Sequence, residues 1–397
     1  MSVRLVTGGK RLRAVLSLAW RLARAGLARW GFFGLGREFW RYLRDHRNLF
    51  DGAGSHLVAL EDRGEIYAAS ALPPITSGRF VDYVLEEVET FNRRQPAPLV
   101  FALLSVSSRC PFRCRHCYAA AELQAQGEAL SLDDLERAIR DLDGWKVPSI
   151  FLTGGEPLMR REELPALLER VAGLGLAFWL VTTGWGADAG LLRRLAVLGL
   201  RGIIVSLDSA DMQAAARSKG HPEALPTAVA AIRAAQEAGL IVSVDCMVPA
   251  GSPLLEPGGY HAFLDFLTRL GVHFVNFFPP HPSGGAEAHH LPALAAADVH
   301  RLEALMNASN ARPGEHPLAY AAVVWELHRG CVGGQQFIYV DPQGGVRACP
   351  FLRGTSGNIK EERLAAILRR LRAEGEQPGC FAAFSGLVGR RRTDRGG

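Results

Sequence analysis

From Leu99 onward, short apolar runs alternate with longer stretches in which apolar residues recur at helical spacing. The runs at 99–106, 149–153, 176–182, 201–207, 240–248 and 272–278 are rich in Val, Ile, Leu and Phe, as buried strands are. The stretches near 131–143, 161–173, 188–198, 223–238 and 259–270 read as helices. Strands alternating with helices of this length make βαβ units and a parallel sheet. Six such units in about 180 residues predict an α/β fold, a partial (β/α)6 TIM-like barrel rather than a complete eight-fold one. Ligands of such sheets bind at the carboxyl ends of the strands.

The flanks carry other patterns. Residues 1–48 read as helical, with Val15, Leu16, Leu18, Leu22 and Leu27 on one side of the wheel and Lys10, Arg13, Arg21 and Arg24 on the other. That helix either docks on its own domain or lies, with Trp20 and Trp30, on an anionic membrane surface. A hairpin of 56–61 and 65–69 follows, turned at Gly64, and then a helix from Arg79 to Arg94. The Pro-rich run at 95–98 marks a boundary. After 290 come a helix (Leu294–Ser309), a loop, a hairpin of 337–340 and 346–348, and a helix (Glu361–Glu374). The chain divides into a helical N-terminal extension (1–98), the barrel (99–290) and a small C-terminal domain (291–397).

Composition narrows the classes. The 397 residues, 48% hydrophobic and 21% charged, can bury a substantial core. The net charge of +5 is mild and spread along the chain, which argues against nucleic acid as a partner. Arg21, Arg24 and Arg29 interrupt the apolar stretch 14–36 and argue against a transmembrane helix. Seven cysteines, three of them in one tight cluster, fit reduced thiols in the cytoplasm better than a disulfide framework.

That cluster is Cys110-Pro-Phe-Arg-Cys114-Arg-His-Cys117, a C-x3-C-x2-C spacing just after the first strand. Three thiolates on one loop can hold three irons of a [4Fe–4S] cluster and leave the fourth iron open to a small molecule. A zinc site is the alternative, but structural zinc wants a fourth ligand, and His116 is wedged between two of the cysteines. Thr153-Gly154-Gly155-Glu156-Pro157 follows the second strand, and Ser206 and Asp208 close the fourth. Independent motifs thus meet at one end of the expected sheet.

Over residues 99–285 the chain resembles the radical S-adenosylmethionine (radical SAM) superfamily. The resemblance implies a [4Fe–4S] cluster on Cys110, Cys114 and Cys117. It implies S-adenosylmethionine (SAM) contacts from Gly154, Gly155, Glu156, Pro157, Ser206 and Asp208, with Arg217 pairing the SAM carboxylate. Glu156 offers a carboxylate to the SAM ammonium, and the two glycines admit a close approach by the ligand. Further on, Cys331, Gly344 and Cys349 resemble the opening of the SPASM/twitch extension, which holds auxiliary clusters. With Cys380, one auxiliary cluster with an open or non-cysteine fourth position is implied.

The expected activity is reductive cleavage of SAM to a 5′-deoxyadenosyl radical, which abstracts hydrogen from a peptide or small natural product. An electron donor such as flavodoxin or ferredoxin is an implied partner. The alternatives are a membrane-associated enzyme acting on a lipid chain, peripheral at the inner membrane face, and a non-enzymatic iron–sulfur or zinc protein. Asp245, Asn276 and His281 are candidates for a base or quenching residue.

Overall fold

The chain begins with strand β1 (Val3–Leu5), long helix α1 (Gly8–Asp45), β2 (Val58–Leu60), β3 (Glu65–Tyr67) and α2 (Gly78–Asn92) in a computed structural model. The structure describes residues 3–6, 8–45, 57–60, 63–124, 128–312, 314–321 and 331–373. β1, β2 and β3 form a small antiparallel sheet. The turn into β3 uses Gly64 at φ +64°, a conformation open to glycine.

The six apolar runs become β4 (Phe101–Ser107), β5 (Ser149–Gly154), β6 (Ala177–Thr182), β7 (Leu200–Ser206), β8 (Ile241–Met247) and β9 (Phe274–Phe278). They pair in sequence order, all parallel. The crossover helices are α3 (Leu132–Gly144), α4 (Leu164–Arg170), α5 (Ala189–Val197), α6 (Met212–Lys219), α7 (Ala224–Glu237) and α8 (Gly259–Arg269). A capping box at Ser131 and Asp134 starts α3, and side-chain caps at Asp188 and Asp211 start α5 and α6.

The sheet continues past residue 290. After α9 (Gly284–Ala288) and α10 (Ala296–Asn310), β10 (Leu318–Ala321) joins β9 in parallel. β11 (Phe337–Val340) adds to the opposite edge beside β4, also in parallel. β12 (Val346–Arg347) turns back antiparallel on β11, and α11 (Leu364–Ala373) ends the described chain. Among the described residues the result is a nine-stranded open sheet rather than a closed barrel.

The two faces of the sheet are distinct. One packs on the crossover helices, with Val242, Val244 and Cys246 of β8 among its fully buried residues. On the other, Phe151, Trp179, Ile204, Ile241, Phe274 and Leu318 form a second apolar cluster with Val58, Leu60 and Tyr67. β2 and β3 therefore cover the sheet's inner face, and the Tyr67 ring meets Trp179 edge-on at 5.8 Å. Polar groups on that face begin above the cluster, toward the carboxyl ends.

Several elements differ from the sequence reading. Residues 1–48 were read as helical, but Val3–Leu5 form strand β1, held by pairing with β2; the five-residue α9 was too short to show a helical period. β10 was expected as loop; in Leu-Ala-Tyr-Ala the small alternate residues give no apolar run. α6 was not expected, being only eight residues between the Asp211 cap and Gly220. α1 is helical as expected but breaks at Gly31 (φ +70°, ψ 176°) and rolls its apolar side differently. Ala14 and Leu18 pack inward, and Arg21 turns inward to donate to the Ile75 and Ser77 carbonyls. Val15, Leu16 and Leu27 face solvent.

Candidate active site

The cysteine loop leaves β4 through an irregularity in the β4–β5 register between Ser105 and Ser107. Such a bulge redirects the chain. Two neighbouring segments then latch the loop. From the β5 end, Gly155 N–H donates to the Ser107 carbonyl at 2.7 Å and Glu156 N–H to the Arg109 carbonyl at 2.8 Å. From the α6 end, the Lys219 and Ser218 carbonyls accept from Arg113 N–H (3.1 Å) and Arg115 N–H (2.9 Å). Glu128 adds a third tie, accepting from Ser107 Oγ, Ser108 N–H and Arg109 Nε at 2.7–2.9 Å.

These latches explain the glycines, and not as the sequence reading had it. Gly154 sits at φ +143°, and a Cβ there would lie 2.3 Å from the Ser107 carbonyl oxygen. A Cβ on Gly155 would lie 2.5 Å from the Arg109 carbonyl oxygen. The close approach they permit is to the cysteine loop itself.

Glu156 is likewise turned inward. Its side chain is fully buried. One carboxylate oxygen accepts from Leu158 N–H (3.1 Å) and Thr182 Oγ1 (2.6 Å). The other accepts from Thr183 N–H (2.7 Å) and Thr183 Oγ1 (2.6 Å). Four donors fill the sites a carboxylate offers, so the side chain is committed to the protein and not to an ammonium ligand. Burial pushes its carboxyl up, against the pull of those four donors. Pro157 opens the short 3-10 turn that Glu156 caps.

Ser206 and Asp208, expected as SAM contacts, are both bonded to a cation that the sequence reading did not name. Arg217 lies exposed on α6, and Lys219 at the end of that helix is buried instead. Lys219 Nζ is 2.5 Å from Ser206 Oγ, 3.1 Å from Asp208 and 3.5 Å from His116 Nε2. Asp208 also accepts from Ser218 Oγ (2.5 Å) and Met247 N–H (3.0 Å). Burial alone would depress Lys219 and raise Asp208; their mutual attraction outweighs it and holds Lys219 up and Asp208 down. His116, between two cysteines, is pushed down to about 4 by burial and stays neutral. A sequence signal for Lys219 existed: in a chain with 45 basic residues it is one of only four lysines.

The three thiols are near enough to influence one another's ionisation. Burial pushes Cys110 and Cys117 up to about 12, and neighbouring thiols add to the rise in each. Buried thiols of this kind ionise only beside strong positive charge, which iron supplies. Cys110 and Cys114 also pack against Phe112, Ala215 and Ala224, an apolar wall. Among the described residues, no three or more His, Cys, Asp and Glu side chains close on a single metal ion. A cluster, which takes one thiolate at each corner, suits this donor set better than zinc does.

Above the apolar layer of the sheet lies a polar one. Asp245 receives a hydrogen bond from Asn276, and burial pushes its carboxyl up to about 7. Asn276 Oδ1 is buried without a partner. Tyr118, next to Cys117, bonds Thr153 and meets Tyr339 and Phe351 edge-on. His281 stacks on Phe351 at 3.8 Å. The segment after Cys349 therefore reaches back to the cysteine loop. Cys331 and Cys349 flank Gly333, where an added Cβ would lie 3.6 Å from Cys331 Sγ and 3.2 Å from Cys349 Cβ. Cys380 lies outside the described residues.

A largely parallel α/β sheet thus carries a cysteine loop and a buried polar network at the carboxyl ends of its strands. Residues 104–251 match the model of the Radical SAM superfamily. The chain is 33% identical over 157 residues to GTP 3′,8-cyclase of Paracoccus denitrificans (strain Pd 1222), covering 39% of this chain and 45% of that protein. It is 29% identical over 177 residues to PqqA peptide cyclase of Methylorubrum extorquens (strain PA1), covering 45% and 44%. The chain thus spans about half the length of these relatives. Its fold is similar to that of Streptococcus suis SuiB bound to S-adenosylmethionine, with a TM-score of 0.57 and 16% identity over 77% of this chain and 72% of that one.

Proposed function

We propose that this chain is an enzyme that cleaves SAM reductively and removes hydrogen from a peptide or small natural-product substrate. The observation that carries this reading is the double latch on the cysteine loop, from Gly154–Glu156 on one side and Ser218–Lys219 on the other. A loop so fixed holds its thiols pre-organised for one ligand. Cys110, Cys114 and Cys117 would hold a [4Fe–4S] cluster, which when bound supplies the electron that splits SAM into methionine and a 5′-deoxyadenosyl radical.

The chain's own residues orient and shield. The backbone at Gly154, Gly155 and Pro157 and the hydroxyl of Ser206 line the SAM side of the loop in this reading. Asp208 and Lys219 act one step back, fixing Ser206 and the loop. Asp245 and Asn276 face the substrate, where the unpartnered Asn276 Oδ1 accepts a hydrogen bond from a substrate N–H or O–H. Similarity to a peptide cyclase favours a peptide, on which PqqA peptide cyclase acts by name. Cys331, Cys349 and Cys380 would hold one auxiliary cluster of the SPASM/twitch kind. A flavodoxin or ferredoxin would deliver the electron, in the cytoplasm.

The test is anaerobic reconstitution with iron and sulfide, reduction, and assay for 5′-deoxyadenosine. Wild-type protein should form it, and Cys114→Ala should not. A reduced, reconstituted cluster that never turns over SAM sinks the proposal. Cys349→Ala should lower iron content by about four per chain and leave SAM cleavage measurable. Unchanged iron would remove the auxiliary cluster.

A further inference from the structure

α1 leaves bulky apolar side chains in water along its whole length. Ala14, Leu18 and Arg21 form the inward stripe, at i, i+4 and i+7. Leu12, Leu16 and Trp20, at i, i+4 and i+8, form the outward one, and Trp20 is 62% exposed. Past the break at Gly31, Phe32 is 78% and Phe33 90% exposed, touching each other edge-on. Trp40, on the second arm, is 61% exposed. Monomeric proteins rarely leave so many large apolar groups uncovered on one element.

The two arms are fixed, so this exposure belongs to a docked element. Arg21 donates to the Ile75 and Ser77 carbonyls, Arg29 pairs with Glu89, and Tyr42 bonds Glu87. Asn92 Nδ2 donates to Glu38. Trp30 meets Phe39 across the break at 5.9 Å. α2 thus receives the inner side of both arms, and the Phe32–Phe33 corner projects.

Charge selects the occupant. The first 37 residues hold eight Lys and Arg and no Asp or Glu. Arg13, Arg24 and Arg41 are exposed beside the apolar groups. A second copy would bring the same cations together. An anionic bilayer surface satisfies both features: aromatic and aliphatic side chains enter the headgroup boundary while arginines pair with phosphates. No helix among the described residues is long and apolar enough to cross a membrane. We propose that α1 docks the protein peripherally on an anionic lipid surface, with the Phe32–Phe33 corner inserted. This inference is independent of the catalytic reading.

The test uses full-length reconstituted protein and vesicles of phosphatidylcholine, with and without phosphatidylglycerol. Wild type should co-float with the anionic vesicles, release as salt rises, and show tryptophan quenching by brominated lipid. Phe32→Ser/Phe33→Ser, at a projecting corner, should bind at least about tenfold more weakly, because both insertion and the corner's area are lost. Arg13→Glu/Arg24→Glu should abolish the preference for anionic lipid. Both variants should keep the circular dichroism of wild type and its 5′-deoxyadenosine formation. Equal binding by the Phe variant, or no binding of wild type to anionic vesicles, overturns the proposal. So does a wild-type dimer that the Phe variant dissolves, which would make a second copy the occupant.

Discussion

Replacing Lys219 with methionine removes a cation from a buried network and keeps much of its volume. Lys219 and Asp208 are almost fully buried, with 3.1 Å between the ammonium and the carboxylate. At that distance, with an effective dielectric constant of about 20, their attraction is about 5 kcal/mol. Asp208 retains Ser218 Oγ and Met247 N–H after the change, which lessens the loss. A buried charge that loses its partner typically costs about 3–5 kcal/mol, and K219M should fall in that range. Asp208→Asn alone strands the ammonium and should cost a similar amount. The double variant, with neither charge, should lose less than the sum of the singles by at least about 2 kcal/mol.

The assay is urea unfolding of the four cluster-free proteins under anaerobic conditions, read by fluorescence and far-UV circular dichroism. Two-state treatment is justified where the two transitions coincide. Acidity supplies a second readout. Lys219 holds the Asp208 carboxyl low, so this pair adds stability above the unfolded carboxyl value of 3.8 and loses it as pH falls through the lower folded value. Without Lys219 the buried Asp208 takes a proton at higher pH. The gap between wild type and K219M should therefore narrow on acidification. Strict additivity of the two substitutions, or a gap that widens toward low pH, refutes the network as described.

Gly155→Ala places a Cβ against the Arg109 carbonyl, 2.5 Å away in the present backbone. It should loosen the latch, lower stability by about 1–3 kcal/mol and reduce cluster retention, read as iron per chain after gel filtration. Unaltered iron and stability would show that the latch does not hold the loop. Asp245→Asn concerns the carboxyl that burial raises to about 7. A raised acid adds stability below its unfolded value of 3.8 and loses it as pH climbs to about 7. Relative to wild type, D245N should gain most at pH 7 and above, and the advantage should shrink toward pH 4; a flat difference across unfolding titrations would refute the assignment.

What could be read from the sequence follows from what each signal measures. β4 to β9 were legible because buried parallel strands are unbroken apolar runs, and the motifs sat at their ends. β10 escaped because Ala319 and Ala321 are too small to mark an alternation, although both are buried. The residues of the Gly-Gly-Glu-Pro segment were legible, but their orientation was not. Whether Glu156 faces a ligand or the protein is decided by Thr182 and Thr183, which stand on the next strand and its exit. Arg217 and Lys219 are two positions apart on one helix, and a helical rotation of about 200° turns one outward and the other inward.

The same logic governs α1. Hydropathy ranks Arg21 as a surface residue and Leu16 as a core one, and the structure reverses both. The reason is local: the loop before α2 presents the Ile75 and Ser77 carbonyls, and a guanidinium is the group that can satisfy two of them at once. Once Arg21 turns inward, the helix phase is set, and Leu12, Leu16 and Trp20 must turn out. A stripe that periodicity assigns to the core is thereby delivered to the surface beside exposed arginines. That is the arrangement a lipid boundary accommodates and bulk water does not.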